Sequence, residues 1–157
     1  MPSAPGVNKA PAYVPIGAAF FPIGDLYMSN AVIDSWLEQF VATALARDLD
    51  RHMAMISPQV MVFGVPGFDT LGYEDWHKQC AHEFPQGLIK GLEYSKIMPR
   101  TESDDSILFK SLETTLTSDG GVLAQAVEML LQRDGDDWKL KQLRMLPEDE
   151  ARHDGLL

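Results

Sequence analysis

The sequence predicts a single α+β domain, in which an antiparallel sheet packs against helices. Residues 30–45 carry apolar side chains at helical spacing. Four strand-like runs then follow one another between residues 90 and 146. Turn sequences at residues 118–121 and at the Asp-Gly dipeptide of residues 134–135 separate three of these runs. Consecutive hairpins build an antiparallel sheet, and 157 residues suit one domain, so we expect helices gathered on one face of a curved sheet that encloses a hollow cone.

The helical half is expected to come first. A long helix should begin at Ser29 or Asn30, because either side chain can cap a helix N-terminus. A turn at residues 48–50 then leads into a short second helix that ends near Ile56, and residues 59–64 read as a strand. The apolar stripe of the first helix comprises Val32, Ile33, Trp36, Leu37, Phe40, Val41, Ala44 and Leu45.

A third helix is predicted over residues 73–84, where large side chains recur at spacings of three and four. Pro85 and Gly87 are expected to end it. The side chains that share its face are Tyr73, Trp76, His77, Cys80 and Phe84. This face should pack against the sheet.

The two ends of the chain differ from its middle. Residues 1–27 are rich in Pro, Gly and Ala and predict an extended arm, which packs either on its own domain or on a partner subunit. Residues 28–148 form the predicted domain, and residues 149–157 form a charged tail that we expect to fray.

Composition excludes several classes of function. Acidic residues outnumber basic ones by 23 to 13, which argues against a nucleic-acid partner or an anionic membrane surface. The lone cysteine, Cys80, permits no internal disulfide, and no metal-ligand spacing or nucleotide-binding motif is present. No signal peptide or membrane span is indicated, because prolines interrupt the apolar patch near the start. We therefore expect a cytoplasmic protein with no metal and no cofactor.

The segment "PGFDTLGYEDWHKQ" before and within the third helix, and the "DGDDW" hairpin followed by alternation, resemble the nuclear transport factor 2-like (NTF2-like) superfamily. Within it the sequence is similar to small SnoaL-like and DUF4440-type proteins, over about residues 29–147. The resemblance implies a conical α+β barrel with a curved antiparallel or mixed sheet wrapped around three helices. It also implies a cavity between sheet and helices, and a homodimer through the outer sheet face. The superfamily includes isomerases, cyclases, dehydratases and many non-catalytic members, so the fold alone selects no function.

Gln142 and Arg144 are the first candidates for ligand binding. Strict alternation places both on one face with Trp138 and Leu140. The resemblance suggests cavity-facing histidines at these positions, but this chain has an amide and a guanidinium instead. Arginine cannot shuttle protons near neutral pH, although its fork of donors suits a carboxylate. The alternative is an ion pair with Glu113 or Glu128, each of which lies within an apolar strand.

Three residues are candidates for proton transfer. Glu113 becomes a base if it is desolvated without a cationic partner, and a structural residue if it is paired. His77 is a candidate base or hydrogen-bond donor on the third helix, or a helix-surface histidine. Tyr94 is a candidate donor to a developing oxyanion.

The aromatic residues predicted to line the cavity are Trp36, Phe40, Phe63, Trp76 and Phe109, with core packing as the alternative for each. Three functions follow. The first is binding of a largely apolar small molecule with a carbonyl or carboxylate head. The second is an isomerase, cyclase or dehydratase acting on a polyketide, steroid or aromatic compound. The third is a non-catalytic, homodimeric interaction module.

Overall fold

The computed structural model describes residues 23–157, with side chains from Asn30 onward. Its element order is the predicted one, a long helix, a short helix, a strand, a third helix and four strands, with one further short helix at the end. The helices are α1 (Ile23–Leu45), α2 (Leu49–Ala54), α3 (Tyr73–Gln86) and α4 (Glu148–His153). The strands are β1 (Ile56–Phe63), β2 (Ile89–Glu102), β3 (Ser106–Thr117), β4 (Val122–Asp134) and β5 (Asp137–Met145).

The five strands form one curved mixed sheet in the order β1-β5-β4-β3-β2. The strands β2 to β5 pair antiparallel through consecutive hairpins, whereas β1 pairs parallel with β5. The helices α1 and α3 pack against this sheet, α1 mainly against β2 and α3 against β1. The predicted α+β class with a mixed curved sheet is confirmed.

The core lies between α1 and the inner face of the sheet. Burial of its large apolar side chains is the main stabilising term for a domain of this size. Its fully buried members include Ile33, Phe109, Val127, Leu131 and Leu140. Because successive side chains alternate between the two faces of a strand, these residues identify the inner face of each strand.

A β-bulge in β5 changes which of its side chains face inward. Leu131 pairs with Leu140 while Leu130 pairs with Gln142, so the intervening Lys141 has no partner on β4. Leu140 and Leu143, three positions apart, therefore both belong to the core. One extra residue reverses the alternation beyond it.

The C-terminal residues pack on the outer face of the sheet, so the expectation that residues 149–157 fray is wrong. Ala151 lies in α4 and Leu156 follows it, and both are fully buried against Ala126 and Leu146. Lys96 Nζ also lies 3.4 Å from the carbonyl oxygen of Gly155. Apolar burial and a lysine cap together anchor this segment.

Two helix boundaries differ from the predicted ones. The helix α1 begins at Ile23 and not at Ser29 or Asn30, and α3 continues through Pro85 to Gln86. Gly87, with a φ of 60°, then ends α3 in the left-handed conformation that glycine adopts without steric cost. The predicted arm falls mostly on residues 1–22, which lie outside the described part of the chain.

Candidate functional site

Tyr94 and Glu113 form a hydrogen-bonded pair on the inner face of the sheet. They are direct cross-strand partners on β2 and β3, so their side chains leave the sheet on the same side. The Tyr94 hydroxyl donates to Glu113 Oε2 at 2.6 Å. Both side chains are partly buried, and Glu113 follows the buried Phe109 and Ser111 along the inner face of β3. The structure thus brings together two of the three predicted catalytic residues.

Burial sets the protonation behaviour of this pair. It raises the pKa of the Glu113 carboxyl, and the hydrogen bond from Tyr94 offsets part of that rise. Burial, with the nearby Glu113 charge, holds the pKa of Tyr94 well above its usual range. Tyr94 therefore stays a hydrogen-bond donor, while Glu113 is closer to exchanging a proton near neutral pH than an ordinary glutamate.

Glu113 makes no ion pair with any residue that the structure describes. The alternative that paired it with Arg144 is wrong, because Arg144 contacts Glu128 and Glu150 instead. Its Nε lies 3.0 Å from Glu128 Oε1, and its Nη2 lies 2.7 Å from Glu150 Oε2. A desolvated carboxylate without a cation is the arrangement that a general base needs.

Arg144 and Gln142 lie on the outer face of the sheet, so the predicted face of both residues is wrong. The bulge at Lys141 is the physical reason, since it turns Leu143 inward and its two neighbours outward. The predicted position of Phe63 in the cavity lining is also wrong. Phe63 pairs with Arg144 and shares its outer face, while the adjacent Val62 faces the core. These three side chains cannot line the inner cavity.

Arg144 belongs instead to an ion-pair network that fixes α4 to the outer face. Lys110 Nζ lies 3.0 Å from Glu150 Oε2 and 2.6 Å from Asp154 Oδ2. The hydrogen bond from Arg144, followed by that from Lys110, lowers the pKa of Glu150 to about 2. The sequence offered a signal for this network, since Lys110, Glu128 and Arg144 interrupt three apolar runs and pair across adjacent strands.

The predicted aromatic lining is largely core. Phe109 is fully buried, and Phe40 and Trp36 are nearly so. Phe40 stacks on Trp36 at 4.6 Å between ring centroids and meets Trp76 edge-on at 6.2 Å. Its ring centroid also lies 6.4 Å from that of Tyr94, so the aromatic cluster borders the Tyr94–Glu113 pair.

His52 of α2 is a buried member of this cluster. Its ring stacks on Phe40 at 4.3 Å, and its Nδ1 lies 2.9 Å from Thr43 Oγ1. The Thr43 hydroxyl donates to the carbonyl of Phe40 at 3.0 Å, so it can accept from an Nδ1–H of the neutral imidazole. Burial lowers the pKa of His52 to about 4, which keeps the ring neutral at physiological pH.

His77 lies apart from the Tyr94–Glu113 pair. It is partly buried on α3, which packs against β1 and α2, and its side chain makes no hydrogen bond or ion pair with another described residue. Three positions along the same helix, Cys80 is buried, and burial raises the pKa of its thiol to about 12. Cys80 is therefore a packing residue and not a nucleophile.

Two depressions stand out on the described surface, and neither includes Tyr94 or Glu113. The larger one, about 840 Å³, is an open groove between α1, α2 and the β4–β5 turn, and Trp36 and Trp138 form part of its wall. The smaller one, about 270 Å³, lies where β1 begins and where β4 and β5 turn. Of the predicted lining residues, Trp36 borders the larger of these two depressions.

Over residues 23–157, no cluster of three or more His, Cys, Asp or Glu side chains is arranged to hold a metal ion. The helices in the same range are all too short or too polar to traverse a bilayer.

Comparison with known proteins identifies the sequence family and supports the fold. Residues 33–145 match the SnoaL-like domain family. No curated protein sequence matches the chain.

Solved structures with low sequence identity share the fold. A proposed scytalone dehydratase from Novosphingobium aromaticivorans has a TM-score of 0.67 at 12% identity, with 79% of this chain and 87% of that one covered. An NTF2-like protein of unknown function from Shewanella oneidensis has a TM-score of 0.63 at 13% identity, with coverage of 74% and 97%. For Bd1075 of Bdellovibrio bacteriovorus the TM-score is 0.59 at 15% identity. The match includes 73% of this chain but only 40% of Bd1075. These likenesses show the NTF2-like fold and carry no activity with them.

Proposed function

Because the chain belongs to the SnoaL-like domain family, we propose that it binds a small, largely apolar molecule and recognises a carbonyl or hydroxyl head group with Tyr94 and Glu113. The observation that carries the proposal is the 2.6 Å hydrogen bond within this pair, next to the aromatic cluster and without a cationic partner among the described residues. Buried polar groups that keep hydrogen-bonding capacity, set against apolar walls, are typical of ligand sites.

The head group should be uncharged. The guanidinium that would have selected a carboxylate, Arg144, lies on the opposite face and is already bound by two carboxylates. Glu113 itself would repel an anion. A neutral carbonyl can accept from Tyr94 or from protonated Glu113, and a hydroxyl can donate to the Glu113 carboxylate.

The inner face is accessible at the β3–β4 hairpin. Leu123 pairs with Thr115, two residues beyond Glu113 along β3, and so lies on the inner face. Yet 63% of Leu123 is exposed, which means that helices do not cover this end of the sheet. An apolar ligand could enter here and cover Leu123, with its head directed toward Glu113.

Fluorescence titration with three naphthalene probes tests this proposal. The protein is expected to bind 2-naphthol and 2-acetylnaphthalene and to bind 2-naphthoate much more weakly. Loss of one hydrogen bond is worth about 0.5–1.5 kcal/mol, so Tyr94→Phe should weaken the neutral probes by about 2- to 10-fold.

The matched control is Glu93→Gln, an exposed residue adjacent to Tyr94 on β2, on the other face of the strand. It should leave all three affinities unchanged. Equal affinity for naphthoate and naphthol, or an equal effect of both variants, would contradict the proposed recognition of the head group.

Proton-transfer catalysis is the second candidate, and the geometry of Glu113 favours it: this partly buried carboxyl group accepts a hydrogen bond from Tyr94 and makes no ion pair with a described residue, and burial raises its pKa. In this reaction Glu113 would remove a proton from a carbon next to a carbonyl, and the Tyr94 hydroxyl would donate to the resulting oxyanion. The reaction would be that of an isomerase, cyclase or dehydratase. Its substrate would be an aromatic, steroid or polyketide compound that contains a carbonyl group.

Deuterium exchange into 2-tetralone, followed by NMR, separates catalysis from binding. If Glu113 is the base, wild-type protein accelerates exchange and Glu113→Gln reduces the rate by about 100-fold or more. Unaccelerated exchange of a probe that binds would leave ligand binding as the function.

The third candidate, a homodimeric interaction module, concerns the outer face. Leu116 and Val122 are cross-strand partners there, and 65% of Val122 is exposed. However, α4 already covers the neighbouring part of this face. Sedimentation of wild type against Val122→Asp measures whether these residues join two copies.

A further inference from the structure

Gln125 extends the Tyr94–Glu113 pair into a row of three polar side chains on the inner face of the sheet. Glu113 pairs with Tyr94 of β2 on one side and with Gln125 of β4 on the other, so the three side chains leave neighbouring strands on the same face. Gln125 is half-buried, between the buried Val127 and the exposed Leu123 on the inner face of β4. The ligand site proposed above comprises only the first two members of this row.

Hydrogen bonds to the backbone fix the orientation of the Gln125 amide. Its Nε2 donates to the carbonyl oxygen of Ala126 at 2.8 Å and to that of Leu146 at 3.4 Å. A flipped amide would place Oε1 against the same two carbonyl oxygens, so the nitrogen must face them. Oε1 therefore remains as an acceptor, and it receives no hydrogen bond from a described residue.

We propose that Gln125 Oε1 makes the site select an apolar alcohol or phenol over a ketone, an inference that rests on the ligand binding proposed above. Glu113 in its protonated form can donate to the oxygen of either head group, but only a hydroxyl has a proton to give to Gln125. A hydroxyl thus completes a chain of hydrogen bonds from Tyr94 through Glu113 and the ligand oxygen to Gln125. A ketone leaves Oε1 unpaired beneath the bound ligand, which costs binding energy.

The spacing of the row suits one ligand oxygen between Glu113 and Gln125. Directly opposite side chains on neighbouring antiparallel strands have Cβ atoms about 4.5–5.5 Å apart. Among the described residues no direct hydrogen bond joins these two side chains, so an oxygen placed between their end groups displaces no existing bond. The exposed Leu123 is the next residue of β4 on the same face, and the apolar body of the ligand can cover it.

The affinities of 2-naphthol and 2-acetylnaphthalene for wild type and Gln125→Met test this assignment. Methionine keeps the length of the side chain and removes the acceptor. The variant should bind 2-naphthol about 2- to 10-fold more weakly, because one hydrogen bond is lost, and should bind 2-acetylnaphthalene as tightly as wild type or more tightly. The matched control is Gln132→Met, the same exchange at an exposed position on the outer face of β4, and it should change neither affinity.

The ratio of the two affinities within each protein is the decisive quantity, because a general disturbance of the site weakens both probes alike. An unchanged ratio in Gln125→Met would overturn the role of Gln125, while a loss of affinity for both probes in Tyr94→Phe would leave the ligand site itself in place. Failure of wild type to bind either probe would contradict the ligand site and this inference with it. Urea unfolding establishes that Gln125→Met is folded, and Gln125→Leu, with the same expected ratio, replaces it if it is not.

Discussion

Lowering the pH from 7.5 to 5 is expected to destabilise the fold, because His52 is buried as a neutral ring among Phe40, Phe84 and Thr43. Its pKa falls from the ordinary 6.5 to about 4 in the folded protein. Between these values the unfolded chain binds more protons than the folded one, so stability falls as the pH falls. The contribution of His52 is thus complete above pH 6.5 and is lost progressively toward pH 4.

The size of this loss follows from the two pKa values. Each pKa unit corresponds to about 1.4 kcal/mol, so the full shift is worth about 3 kcal/mol, and about 2 kcal/mol is lost by pH 5. Glu150, with a pKa lowered to about 2, loses its contribution only below pH 4.5. Glu113 acts in the opposite direction, since a raised pKa favours the folded state as the pH falls.

Urea unfolding at pH 7.5, 6 and 5, followed by tryptophan fluorescence, measures this effect in wild type, His52→Gln and Glu113→Gln. The free energy of unfolding of His52→Gln should be lower at pH 7.5 but should change less with pH, by about 2 kcal/mol over this range. Glu113→Gln should show a steeper loss than wild type. Parallel pH dependences for wild type and His52→Gln would refute the argument that His52 is neutral and buried.

Two further predictions concern the outer face of the sheet. Arg144→Leu leaves Glu128 and Glu150 without their guanidinium and should cost about 2 kcal/mol in urea unfolding, whereas Arg152→Ala, which removes an exposed pair on α4, should cost less than about 0.5 kcal/mol. Affinity for the neutral naphthalene probes should be the same in both variants, and a selective loss in Arg144→Leu would place that residue at the ligand site after all. Leu156→Ala removes a fully buried side chain and should cost about 2 kcal/mol or more, with faster proteolysis after residue 147; an unchanged stability would show that the C-terminal segment is not docked in solution.

The elements of this fold were predictable because their signals are local. The apolar stripe of α1 and the turn residues between the strands lie within short windows of sequence. The pairing of β3 with β4 is uninterrupted, so simple alternation places Ser111, Glu113 and Thr115 on one face of the sheet.

The face of β5 was not predictable by simple alternation. Alternation places Gln142 and Arg144 inward, whereas a one-residue shift at Lys141 places Leu143 and Met145 inward. The shifted arrangement buries two apolar side chains in place of two polar ones, and that preference was visible in the sequence. The position of a bulge depends on pairing with β4, which is a long-range contact that the β5 sequence does not contain.

The docking of the C-terminal segment also depends on long-range contacts. Its charges suggested a solvated tail, but Glu150 and Asp154 both meet Lys110, which lies 40 and 44 residues earlier in the chain. Glu150 also meets Arg144, which lies 6 residues earlier, on β5. Ala151 and Leu156 then cover apolar residues of the outer face. The sequence shows the charges and the leucine, while only the sheet brings their partners together.

The central claim is that Glu113 is a desolvated carboxyl group, held by Tyr94 and without a cation. A carbon-detected NMR titration of the glutamate side-chain carboxyls, in wild type and Tyr94→Phe, measures this directly. We expect a pKa for Glu113 above the ordinary 4.5, and a further rise in Tyr94→Phe because the hydrogen bond from Tyr94 lowers it. A pKa for Glu113 at or below 4.5 in wild type would contradict both the proposed site and its proton-transfer chemistry.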